Sequence, residues 1–168
     1  NYISAIAHCF LGCNRLINHF IKFNPSQEDA NKKYFITYIF KNLLMRMLHQ
    51  NFDPKYILCY SFKLKLIISA IPSQLKYPEQ CIHFLSLLLT KMHEELNKAK
   101  SNINSYPNDP NDFKDEQKVV NSAFLKVTST YQSVISTYFC YLTKTTTICD
   151  VCNNPIKYKI VPKPMVIM

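Results

Sequence analysis

Apolar residues recur every three or four positions from Tyr2 to about Lys98, a period that admits helices and excludes a sheet-built N-terminal half. Ile3, Ile6, Ala7, Phe10, Leu11, Leu16, Ile17, Phe20 and Ile21 carry the pattern at the start, with a break near Gly12 and Asn14, so two short helices joined by a bend are expected. Asn24-Pro25-Ser26 stops the second and opens a polar stretch. A third helix is expected from Tyr34 to Leu48, where Ile39, Leu43 and Met47 belong to a broad apolar face. Asp53-Pro54 marks another start, since proline in the first turn gives up an N–H that no carbonyl needs, and Pro72 sets the limit of that helix. The longest helix is expected from Pro78 to about Lys98. Its inner face would carry Ile82, Leu85, Leu88, Leu89, Met92 and Leu96, with Glu94 and Glu95 outside.

The period then changes. Residues 99–118 are rich in Asn, Asp and Pro without periodicity and read as a mobile surface loop. Ser133 to Phe139 reads as a short helical turn. Tyr141 to Ile148 is threonine-rich and strand-like, and Ile156, Tyr158, Ile160 and Val161 follow as a return strand after a turn at Asn153-Asn154-Pro155. The expected fold class is α+β: a helical lobe over 1–98, the loop over 99–118, and a short helix with a β-hairpin over 119–168. Cys149-Asp-Val-Cys152 sits at the hairpin's tip. Two thiolates on one tight turn supply half of a tetrahedral Cys₄ zinc shell, and no second knuckle follows in this sequence.

Composition narrows the function classes. The 168 residues are 48% hydrophobic, enough for one core or one lobe of a larger fold. Twenty Lys and Arg against eleven Asp and Glu give a net charge of +9. The lysines are scattered singly, so nucleic-acid binding is not expected. Gly12 is the one glycine, which excludes glycine-rich phosphate loops. Apolar runs such as Leu64 to Ile71 fall short of the ~20 residues of a membrane helix. Seven irregularly spaced cysteines and no secretory segment at the start point to an intracellular setting, cytoplasmic or nuclear, with free thiols.

Several phrases, in order, resemble the first half of a ubiquitin-specific protease domain, the papain-like cysteine deubiquitinases. Tyr2-Ile3-Ser4-Ala5-Ile6-Ala7-His8-Cys9-Phe10 is similar to the stretch that follows the nucleophilic cysteine in that family's box, which places Asn1 at the cysteine's position. Pro54-Lys55-Tyr56-Ile57-Leu58 resembles a helix start of the family. Glu79-Gln80-Cys81-Ile82-His83-Phe84-Leu85 resembles its Gln-Asp-Ala-His-Glu-Phe-Leu box, and the long helix closes on a similar His93-Glu94-Glu95-Leu96 phrase. Ser133 to Tyr141 is similar to the segment before the first finger hairpin, whose zinc knuckle matches Cys149 and Cys152. The resemblance implies a thumb-like helical lobe, ubiquitin or ubiquitinated proteins as partners, and a channel for ubiquitin's tail near Glu79, Gln80, His83 and Phe84.

The departures bear on chemistry. An amide side chain at Asn1 has no ionisable nucleophile, whereas the family attacks with a thiolate. Gln80 stands where the box carries an acid that pairs with ubiquitin's basic tail, and Cys140 replaces a glycine. Cys9 and Cys13 near His8 offer another thiol and histidine, but sequence neighbours on a helix point about 100° apart, and burial in the core is the expected fate of both cysteines. His93-Glu94-Glu95 lacks a second histidine at position 97 for a zinc-protease motif and reads as a helix-surface histidine. Three functions remain open: a catalytically inactive fragment of such a domain that binds ubiquitin, part of an active thiol deubiquitinase, or a zinc-tipped interaction module unrelated to ubiquitin.

Overall fold

The computed structural model describes residues 2–49, 53–70, 81–99, 116–153 and 155–163. Two compact units divide the chain at Leu96 and Asn97.

Among the described residues the first unit holds α1 (Tyr2–Leu11), α2 (Asn14–Lys22), α3 (Gln27–Lys32), α4 (Phe35–Leu48), α5 (Pro54–Ser69) and α6 (Cys81–Leu96). The expected break between the first two falls at Gly12 and Cys13, where the Gly12 amide still donates to the carbonyl of His8. The polar stretch after Pro25 folds as the short helix α3, whose first turn is capped by the Ser26 hydroxyl accepting from the Asp29 amide. Asp53 caps α5 in the same way, with Pro54 at the first helical position.

Helix α4 lies at the centre and meets α1, α2, α3, α5 and α6. It is buried almost all round, through Ile36, Thr37, Ile39, Phe40, Leu43 and Leu44. The Phe40 ring stands edge-on to Phe10 at 5.0 Å and to Phe20 at 6.2 Å, so three helices share one aromatic cluster. Each such side chain removed from water contributes about 1.5–3 kcal/mol. The Lys41 side chain is also buried; its ammonium donates to the Phe23 carbonyl at the end of α2, and desolvation lowers its pKa.

Helix α6 corrects the expected inner face. Phe84, Leu88, Leu89, Met92 and His93 are buried, while Ile82 is 56% exposed. The buried row runs through positions 84, 88 and 92, and Ile82 sits about 160° round the helix from Phe84, away from that row. Glu95, expected outside, turns inward. Its two carboxylate oxygens accept the amides of Ile36 at 2.9 Å and Thr37 at 2.7 Å, donors that the first turn of α4 leaves unpaired. His93 is buried rather than a surface residue, and burial lowers its pKa against a smaller opposing effect from Glu94.

The second unit holds α7 (Glu116–Thr130), α8 (Val134–Phe139), β1 (Tyr141–Ile148) and β2 (Pro155–Lys163). Helix α7 was not anticipated, and its first turn occupies the end of the stretch read as loop. Residues 100–115 of that stretch lie outside the described residues, as do Pro72 and the rest of 71–80. The side chain of Asn97 holds the unit's start to the end of α7: its amide donates to the Thr130 carbonyl at 3.0 Å, and its oxygen accepts the Gln132 amide at 2.9 Å. Ser133 and Ser136 form a reciprocal capping box that starts α8. The two strands pair antiparallel from Tyr141 opposite Lys163 to Ile148 opposite Pro155, with an irregularity after Thr147.

Candidate functional site

Helix α1 begins at Tyr2, the residue that follows the nucleophile position of the resemblance. Ile3 pins this end into the core at 1% exposure. The Tyr2 ring lies edge-on to Phe84 of α6, centroids 5.5 Å apart at 69°. Two phrases far apart in the sequence are thus brought together: the nucleophile-box helix and the Glu79-to-Leu85 box. Phe84 is 1% exposed, so it works here by packing, and the neighbouring His83 is half-buried. Asn1, Glu79 and Gln80 lie outside the described residues.

The thiols of the first helices sit elsewhere. Cys9 is exposed and Cys13 half-buried, which corrects the expectation that both fill the core. The face of α1 that packs inward runs through Ile3, Ile6, Ala7 and Phe10 and leaves His8 and Cys9 outside. At 1.5 Å per residue Cys9 stands about 10 Å along the axis from Tyr2.

Beside Tyr2 and Ile3 a cavity of about 620 Å³ opens against α5, which contributes Leu58, Phe62 and two lysines, Lys55 and Lys65. The sequence reading missed it. The available signal was the spacing of Leu58, Phe62 and Leu66, a second apolar row on α5 besides the buried row of Ser61, Leu64 and Ile68.

Cys149 and Cys152 lie in the connection between β1 and β2. The Asn153 amide donates to the Cys149 carbonyl at 2.8 Å, and Asn153 takes a left-handed φ of 54°, a conformation asparagine tolerates. This closes the turn so that the Cys152 and Val151 amides face the Cys149 sulfur. Those backbone donors, with a lesser contribution from the Cys152 side chain, lower the Cys149 pKa. A preformed cradle for a thiolate fits a zinc ligand. No group of three or more His, Cys, Asp or Glu residues suited to a metal ion occurs among the described residues.

A mainly helical α+β architecture is compatible with what sequence comparison finds. The family model for ubiquitin carboxyl-terminal hydrolase matches residues 1–168, and the chain belongs to that family. The family is papain-like and acts on ubiquitin conjugates. No curated protein matches the chain significantly. No helix among the described residues is long and apolar enough to cross a membrane.

Proposed function

We propose that this chain is a ubiquitin carboxyl-terminal hydrolase-like domain that binds ubiquitin without cleaving it, in an intracellular setting. The observation that carries this reading is the register of the nucleophile box. Tyr2 to Phe10 resemble the stretch that follows the nucleophile in the family's box, a register that would put Asn1 in the cysteine's place, and a carboxamide cannot add to a carbonyl as a thiolate does. Cys9 lies about two turns further along α1 and Cys13 lies beyond the end of that helix, so neither is placed to substitute, while Cys59 lines the cavity beside Tyr2 and Ile3 as a free thiol. The family relation and the packed junction of the two boxes support retention of the binding face.

Titration with labelled ubiquitin, followed on the same sample by ubiquitin carrying a C-terminal electrophile, tests the reading. Saturable binding without a covalent adduct is the expected result. An adduct abolished by alkylating the protein's thiols would overturn the inactive reading and favour an active deubiquitinase. Absence of any binding at saturating ubiquitin would favour an interaction module with no ubiquitin link.

In the same reading Cys149 and Cys152 hold one side of a structural zinc ion, which would tie the ends of β1 and β2 together. The support is the thiolate cradle at Cys149. Cobalt loading should give the intense thiolate-to-metal absorption, and Cys149→Ser should remove it; an unchanged spectrum would exclude this pair as ligands.

A further inference from the structure

Helix α5 presents two different apolar rows. Ser61, Leu64 and Ile68 face inward, whereas Leu58, Phe62 and Leu66 are 61%, 62% and 56% exposed at intervals of four residues. Large apolar side chains in such a row are anchors of the kind that receive a partner's peptide. The row borders the cavity of about 620 Å³ whose other wall is Tyr2 and Ile3. In its wall Ser61 is 1% exposed, and among the described residues its hydroxyl has no hydrogen-bond partner.

Charge selects the occupant. Lys55 and Lys65 line the cavity, Lys63 lies over the Phe35 ring nearby, and α5 carries no acidic residue. The nearest acid on this stretch, Asp53, already accepts the Lys55 amide as the helix cap. We propose that the groove between the start of α1 and α5 binds an acidic peptide segment of a partner protein. Bulky apolar side chains of that segment enter between Tyr2, Leu58 and Phe62, and its carboxylates meet Lys55 and Lys65. This goes beyond ubiquitin recognition, since ubiquitin's tail is basic and has the wrong sign for these lysines.

The test is fluorescence anisotropy of the full chain with two short labelled peptides, both with Leu and Phe on one helical face. One carries Glu on the remaining positions and its twin carries Lys. The acidic peptide should bind at least about tenfold more tightly than the twin. Lys55→Glu combined with Lys65→Glu should reverse that preference, and Phe62→Ala should weaken the acidic peptide about tenfold. Both lysines and Phe62 are exposed, so the thermal melt should stay in place and separate lost binding from lost fold. No binding, equal binding of the twins, or binding indifferent to these substitutions overturns the proposal. Saturable binding to phosphatidylserine vesicles in place of the peptide would assign the row to a membrane surface. Self-association removed by Phe62→Ala would assign it to a second copy. Ubiquitin is absent from these measurements, so their failure leaves the ubiquitin reading standing.

Discussion

The helical unit and the hairpin unit are held together by different means. Among the described residues, every apolar side chain that is fully buried lies in residues 1–96 except Ile135. Around α4 the order comes from interlocked side chains shared by six helices, whereas β1 is exposed along most of its length and owes its shape to the ladder with β2. A two-stranded hairpin is marginal alone in water. The second unit therefore depends on point devices, namely the Asn97 side chain and the Ser133–Ser136 capping box, where the first depends on packed volume.

Substitutions can break or sharpen this contrast. Phe40→Ala removes the ring shared by α1, α2 and α4 and should cost about 3–5 kcal/mol. Chemical denaturation should show the loss across the whole helical unit; a cost confined to one helix would mean that the cluster is not cooperative. Glu95→Ala strips the first turn of α4 of two charge-assisted acceptors and should cost roughly 1.5–3 kcal/mol. Amide exchange should then rise first at Ile36 and Thr37, and unchanged exchange there would remove the capping role.

Asn97→Ala should cost about 1–2 kcal/mol, because the Thr130 carbonyl and the Gln132 amide both lose their partner. Exchange should accelerate around Gln132 and stay unaltered in α4; equal acceleration in both would erase the distinction between the units. The smallest effect is a pH dependence. His93 has a lowered pKa in the folded chain, so the unfolded chain binds the proton more readily. Stability is then fully present above about pH 6.5 and falls as the pH drops below that value toward the folded pKa. The melting temperature of the parent should decline over that window, and His93→Leu should flatten the decline.

Much of the fold was legible from local rules. Pro54 after Asp53, the break at Gly12 and Asn14, and the threonine-rich run before the knuckle each act within a turn or a strand, so their sequence is their explanation. The residues misread on α6 are different. Helical spacing alone cannot say which of two candidate rows faces inward, and Phe84 in place of Ile82 was chosen by the Tyr2 ring that meets it. Glu95 looks like a solvated acid until α4 presents two unpaired amides to it. Cys9 looks like a core thiol until the inward row of α1 is seen to pass it by.

The candidate site divides in the same way. The residue at the nucleophile position, the spacing of the two cysteines and the sign of the charge on α5 are properties of the chain read in order. Ionisable groups and ligand spacings are local, so the order of residues records them. That Tyr2 rests on Phe84, and that Tyr2 and Ile3 meet α5 around a cavity, depend on long-range packing. Those contacts arise only when distant segments compete for the same buried space, and no period or propensity along the chain records the outcome of that competition.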